Sequence, residues 1–449
     1  MKNAIVWTLP RGAAVAAVED AIKNKKMNVV AWFNRDRASD LSIKHICYKP
    51  ERLERELSKL PLRNDVFFHG KRELLERHLV RFLDASSRCN FTKGRSYHEL
   101  LNLFHQYLHY FVNLIKEHKA DIVIFIGTPH LGADFMLYLA AKLCGIPTSL
   151  SHPSHLPNRF YIYQEIDDFG TFDTSPEMDF PLEVEAPEGA KQSHFYMKKI
   201  PHRRGFAFSR FLRDCGWAAF GGRESISWSG VFSKQGARFR YPGDYKRAVV
   251  HSVDYDKKFV YFPLQLQPEL TTSCHGREFT DQLLAVEQLS SILPDDWYIY
   301  LKENPKQGFR QRDRYFYERM KRIPRCLYLD TAIPTHELIE SSQFVATISG
   351  TVGWEAICGG KPAVIFGVTW FQTFPGVTQW RSDVTLSEIV DKEISRDALN
   401  ESYRELARKT HPGIFIMDYK VLHEDYSDEE NHRNLTAYLD LVLKDSFPC

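Results

Sequence analysis

The chain has 449 residues, 43% hydrophobic and 26% charged, and a formal net charge of +2. Those figures describe an ordinary globular protein and exclude collagen-like, low-complexity and disulfide-scaffold chains. A near-neutral balance gives no support to a nucleic-acid partner, so any basic feature must be local.

The length predicts two domains rather than one core. Eight cysteines, at 47, 89, 144, 215, 274, 326, 358 and 449, form no C-x-x-C pair. This leaves no zinc or redox motif and fits a reducing compartment. The opening "MKNAIVWTLPRG" reads as a first strand and not as a signal peptide. No apolar run approaches the roughly 18 residues of a membrane span, so the expectation is a soluble cytoplasmic protein.

In chain order, short apolar runs come first: "AIVW" (4–7), "NVVAWF" (28–33), "DVFF" (65–68), "DIVIFIG" (121–127) and "IPTSLS" (146–151). Helix-like stretches lie between them, the clearest being "YHELLNLFHQYLHYFVNLIKEH" (97–118). This alternation predicts a parallel sheet covered by helices. Residues 160–257 look irregular, with an acidic, proline-containing part (167–189) and a basic, aromatic part (196–217). The rhythm restarts at "KFVYFPL" (258–264) and continues through "WYIYLKENP" (297–305), "CLYLD" (326–330), "FVATISG" (344–350) and "PAVIFG" (362–367). Helices are predicted at 278–292, 310–322, 335–342 and 352–359, and a last amphipathic helix within 423–447. The expected fold is α/β, with two Rossmann-like domains at 1–245 and 246–425 and a terminal helix at 426–449 that could cross back. Two such units facing across a cleft describe a GT-B-like architecture, with ligands beyond the carboxyl ends of the strands.

Polar residues gather at those ends. Gln265, Gln267 and Glu269 alternate on a segment stiffened by Pro268, a spacing that aims them to one side for a base or ribose. A polar loop is the alternative. Lys302 and Glu303 end the next strand, where a lysine can meet a phosphate as a point charge or simply cap the strand. Ser349, Gly350 and Thr351 open a helix, with Glu355 in its first turn. Small polar residues there either admit an anion or form an ordinary N-cap. In the first domain "GTPHLGAD" (127–134) places His130 and Asp134 four apart around Gly132. An imidazole and a carboxylate are the usual pair for moving a proton. Alternatively, Asp134 caps the helix and His130 is a satisfied loop residue.

Other signals are weaker. "WTLPRG" (7–12) is not a G-x-G-x-x-G, so a nicotinamide cofactor has little support. Asp254 and Asp256 form a D-x-D that precedes a strand, which argues against a metal, and His152 and His155 lack a third ligand at metal spacing. No cofactor is expected. Lys198, Lys199, Arg203, Arg204, Arg210 and Arg213, interleaved with Phe195, Tyr196, Phe206, Phe208 and Phe211, suit an anionic membrane surface or a solvated linker.

The motifs "YFPLQLQPE", "YLKENP" and "ISGTVGWEAICGGKPAVIFG", in that order, resemble the bacterial capsule polysaccharide biosynthesis family of β-Kdo and related nonulosonic acid transferases. "GTPHLGAD" is similar to that family's N-terminal signature, and the resemblance covers most of residues 120–370. It implies a GT-B fold and metal-independent transfer of a 2-keto-3-deoxy acidic sugar (Kdo, pseudaminic or legionaminic acid) from its CMP ester. The acceptor would be an oligosaccharide or lipid-linked glycan of capsule or lipopolysaccharide, at the inner face of the bacterial inner membrane.

By matching motif, Gln267 and Glu269 would lie at the nucleotide, and Lys302 and Glu303 near the phosphate. Ser349, Gly350 and Thr351 would hold the phosphate or sugar carboxylate, with Glu355 near the ribose and His130 and Asp134 as catalytic candidates. Asn304 stands where the family usually has histidine, which puts proton delivery from that position in doubt. A UDP-sugar transferase or epimerase, or a non-catalytic glycan-assembly protein, are the competing readings.

Overall fold

The structure, a computed structural model, describes residues 1–8, 13–34, 45–46, 53, 57, 70–88, 95–176, 184–189, 208–220, 228, 231–232, 236, 243–307, 312–423 and 425–444. The chain divides into two compact units, Met1–Glu183 with Glu405–Cys449, and Val184–Arg404. These limits differ from the boundaries expected at 245 and 425. Composition marks where the chain turns polar; contacts decide where it packs. Ala186, for example, donates from its backbone to Asn400 and accepts from Arg396.

In the first unit the strands are β1 (Asn3–Thr8), β2 (Asn28–Phe33), β3 (His45–Ile46), β4 (Ile122–Ile126), β5 (Thr148–Pro153) and β6 (Arg159–Tyr163). Its helices are α1 (Ala13–Lys23), α2 (Arg72–Arg88), α3 (Tyr97–Glu117) and α4 (Ala133–Cys144). Helix α3 starts at a capping box in which Ser96 Oγ accepts from Glu99 N and Glu99 accepts from Ser96 N. Alternate residues of β1 and β4 face opposite ways, so both faces need cover. Ala4, Val6, Ile122 and Ile124 pack beneath Ala14, Ala17 and Val18 of α1, while Trp7 stacks on Phe33, which meets Phe111 of α3 edge-on.

The run "RFYIY" became β6, antiparallel to β5, although sequence reading placed it in an irregular stretch. It is short and its hairpin carries no Asn-Gly signal. "DVFF" and residues 9–12 of "WTLPRG" lie outside the described residues.

The second unit opens with α5 (Phe208–Phe220), β7 (Val249–Val250) and β8 (Lys258–Pro263). There follow α6 (Gln282–Ile292), β9 (Trp297–Lys302), α7 (Arg314–Met320), β10 (Cys326–Leu329), α8 (Thr335–Ser341) and β11 (Phe344–Thr347). It closes with α9 (Val352–Cys358), β12 (Ala363–Ile365), β13 (Val377–Gln379), α10 (Leu386–Val390) and α11 (Arg396–Arg408). All its pairings are parallel, in the order β13-β12-β11-β8-β9-β10-β7. The two units are thus the Rossmann-like α/β bodies expected. Val260, Phe262, Ile299 and Leu301 pack under α6 and α7, and Tyr261 and Tyr300 occupy the opposite positions.

The chain then returns to the first unit. Strand β14 (Thr410–Pro412) pairs antiparallel with β6, extending the first sheet to the order β14-β6-β5-β4-β1-β2-β3. Helix α12 (Asp428–Leu443) sets Leu435, Tyr438, Leu439 and Val442 into the core shared with α1. Tyr438 meets Phe160 edge-on, and its hydroxyl lies 3.2 Å from Ser149 Oγ.

Candidate functional site

In the first unit the loop after β4 is shaped by Asp134, whose carboxylate accepts from the backbone N–H of His130 (2.9 Å), Leu131 (2.7 Å) and Phe135 (2.8 Å). The side chain is buried, and its bonds are charge-assisted. Gly132 precedes α4 at φ +91°, a conformation that favours glycine.

The acidic residue expected to deprotonate an acceptor is therefore engaged in holding its own loop. This corrects the leading assignment and realises the capping alternative. His130 is the residue so positioned: its Nδ1 donates to Thr128 O at 2.6 Å, which in the neutral ring leaves the lone pair on Nε2. Behind the loop Thr128 Oγ1 lies 2.6 Å from Tyr163 Oη and 3.1 Å from His152 Nδ1. His78 of α2 packs on Phe135 with its Nδ1 unbonded, and burial, aided by Arg81 and Arg77, pushes it down to about 4.

In the second unit the candidates stand at the carboxyl ends of β8, β9 and β11, and most are bonded to one another. Gln265 receives Gln282 Nε2 on its carbonyl and gives its N–H to Gln282 Oε1. Its own Oε1 faces Ser349 N and Oγ, each at 3.4 Å. Gln267 donates to Thr280 O and accepts Gln282 Nε2 on its side chain, while its backbone exchanges two bonds with Gln307. Glu269 accepts Thr271 Oγ1 and caps the turn at Leu270–Cys274. Gln282 and Gln307, which complete this lattice, went unnoticed in the sequence. Nothing in their spacing marks them, only the fact that both are buried amides in need of partners.

Glu303 is displaced from the role its motif suggested. It is buried against Arg312, with Nε to Oε2 at 2.6 Å and both side chains 1% exposed. Tyr328 Oη and Asn304 N donate to the same carboxylate. Burial opposes the charge on Arg312, and attraction to Glu303 outweighs it, so the guanidinium pKa is raised. Arg312 itself stacks over Phe316 at 4.6 Å.

Lys302 donates to Ile333 O and, at 2.9 Å, to Thr335 Oγ1, and burial pushes its ammonium down to about 8 against the pull of Asp330. Asn304 turns its Oδ1 onto Lys306 N.

At the Ser-Gly-Thr turn, Ser349 Oγ donates to Thr271 O (2.6 Å) and Gly350 N to Thr347 Oγ1 (3.2 Å). A Cβ on Gly350 would strike Gln265 Nε2, so glycine is required by the lattice whatever it binds. Thr351 and Glu355 remain half-buried. Asp254 and Asp256 are exposed in a turn before β8, with Asp254 Oδ1 accepting Asp256 N. Among the described residues no group of three His, Cys, Asp or Glu is placed to hold a metal. No helix among them is long and apolar enough to cross a membrane.

Two α/β units with polar groups at the carboxyl ends of parallel strands define the class. The family follows from sequence: residues 244–411 match the capsule polysaccharide biosynthesis protein family. The match begins beside the boundary expected at 245 and spans the three motifs of the second unit, which bears out the resemblance there.

Among solved structures the chain is similar to the β-Kdo 2,7 transferase of KpsC from Thermosulfurimonas dismutans. Identity is 13%, over 77% of this chain and 90% of that one, with a TM-score of 0.30. A UDP-GlcNAc 2-epimerase from Methanocaldococcus jannaschii (10% identity, 97% and 100% covered, TM-score 0.23) is also similar. So is the calicheamicin glycosyltransferase CalG4 (12%, 98% and 98%, 0.26). No curated protein matches the chain by sequence.

Proposed function

We propose that the chain is a glycosyltransferase of bacterial capsule synthesis, moving a 2-keto-3-deoxy acidic sugar from its CMP ester to a hydroxyl of a surface glycan. The observation that supports this most is that the family match at 244–411 falls on the residues whose polar groups are locked together at the strand ends. In this reading the lattice acts by keeping a surface rigid. The nucleotide lies along Gln267 and Glu269, and the donor's phosphate or carboxylate lies against Ser349, Gly350 and Thr351, with Glu355 toward the ribose. Lys302 acts from behind, fixing the start of α8. Glu303 holds Arg312 and shapes the same strand end without touching the donor.

The acceptor oxygen attacks the anomeric carbon as the bond to the phosphate oxygen breaks. CMP leaves with the bonding electrons, and the hydroxyl proton passes to His130 Nε2. Asp134 positions that histidine. A single phosphate held by hydrogen-bond donors requires no metal, and the barrier falls by stabilising the departing phosphate and aligning the acceptor.

The test is CMP release from CMP-Kdo, and from CMP-linked nonulosonic acids, in the presence of an oligosaccharide acceptor. His130→Gln should lower turnover by about 100-fold or more while CMP binding persists. Release of UDP from UDP-sugars, with none of CMP, contradicts the proposal.

A further inference from the structure

The net charge of +2 conceals a strong segregation. Residues 190–250 carry thirteen Lys and Arg against three Asp and Glu, a net +10, so the remainder of the chain totals −8. From 190 to 213 no acidic residue occurs at all.

Helix α5 lies inside this stretch. Phe208, Phe211, Leu212, Cys215 and Ala219 recur at the spacing i, i+3, i+4, i+7, i+11, which puts them on one stripe of the helix. Arg210 and Arg213 fall outside that spacing. A helix resting on its own domain would bury such a stripe. Here Phe208 is 63% and Leu212 53% exposed, Phe211 and Cys215 are only half-buried, and no α5 side chain that the structure describes is buried. A second apolar pair follows: Trp228 and Phe232, four residues apart and 6.4 Å between rings, are 49% and 62% exposed.

We propose that residues 190–250 dock the chain on an anionic lipid surface, with the stripe of α5 and the Trp228–Phe232 pair entering the headgroup boundary. The charge selects the occupant. An excess of +10 complements acidic headgroups and repels a second copy of the same segment. Exposed Phe, Leu and Trp are what an acyl boundary accepts and what a phosphate backbone does not use. Basic residues draw the segment to the surface, and the apolar side chains retain it.

The test is flotation of the full chain with vesicles of phosphatidylcholine alone or of an equal mixture with phosphatidylglycerol. These vesicles hold neither glycan nor nucleotide, so the result is independent of the transferase reading. The expected result is about a tenfold or greater preference for the anionic vesicles. It should weaken in 1 M salt, where the screening length falls to about 3 Å. F208S/L212S should lower binding about tenfold with unchanged circular dichroism and melting, because both side chains are already exposed. R203E/R204E should lower it separately.

Equal binding to neutral vesicles, no binding, or binding indifferent to F208S/L212S overturns the proposal. A dimer that F208S/L212S dissolves, without vesicle binding, assigns the stripe to self-association and overturns it as well. Retention on duplex DNA unaffected by F208S/L212S, again without vesicle binding, does the same.

Discussion

The loop after β4 in the first unit and the strand ends of the second unit carry the same kinds of residue, yet they are stabilised differently. In the loop one carboxylate, Asp134, gathers three backbone N–H groups and so fixes a histidine. In the second unit the side chains bind one another: Gln265 with Gln282, Gln267 with Gln307, and Glu303 with Arg312. The first arrangement concentrates its dependence on a single group. The second distributes it, apart from one buried ion pair. In both, the residue that looks most reactive in sequence is part of the frame.

The largest expected effect is at that pair. Arg312→Met strands the Glu303 charge in the interior and should cost about 3–5 kcal/mol in urea denaturation. The double variant with Glu303→Leu should lose less than the two single losses added together. A loss below about 1 kcal/mol for Arg312→Met would mean that the pair is solvated and the distinction between the two regions fails.

Next comes pH. His78 and His411, both in the first unit, are pushed down to about 4, mainly by burial, from an ordinary 6.5. They are neutral in the fold, whereas the unfolded chain takes up protons below about 6.5. Stability is therefore complete above that value and falls as pH drops toward 4, by up to about 3 kcal/mol per histidine. Lys302, in the second unit, is lowered to about 8 from 10.5, so its contribution grows as pH rises through that window. Hydrogen exchange between pH 4 and 6.5 should loosen β1 and α12 before β8 and β9. The reverse order would contradict the assignment.

Gly367→Ala should cost about 1–3 kcal/mol, because its Cβ would meet the backbone carbonyl of His275, which has little room to move. Gly350→Ala meets the end of a glutamine side chain instead and should cost less. Asp134→Asn removes the charge from three hydrogen bonds and should cost about 1–2 kcal/mol with a loss of turnover. His130→Gln should lose turnover with nearly unchanged melting. Equal stability losses for the two would make the loop merely structural. The smallest effect is expected from Asp254→Asn with Asp256→Asn, within about 0.5 kcal/mol and without change in turnover, since both are exposed.

Much of this fold was legible in the sequence because parallel strands and their helices write continuous and 3.6-residue apolar patterns. "KFVYFP", "WYIYLK" and "FVAT" became β8, β9 and β11. The return of residues 410–412 and 428–443 to the first sheet was only partly legible. A last helix was expected from its amphipathic pattern, but a three-residue edge strand has no periodicity to read. At the strand ends the residue types were readable and their partners were not. Arg312 lies nine positions beyond Glu303 and outside the motif, and Gln282 reaches back across a helix start to Gln265. Spacing places a side chain on a strand end; only packing decides whether it faces a ligand or a neighbour.

The most direct test of the central claim is isothermal titration and thermal unfolding of the whole chain with CMP, CDP, UDP and GDP. The account predicts that CMP binds most tightly and, at about 100 times its dissociation constant, stabilises the fold by about 2.7 kcal/mol. Selective binding of UDP would contradict a CMP-activated acidic sugar as donor, and no response to any nucleotide would contradict a donor site at Gln267, Glu269 and Ser349–Thr351.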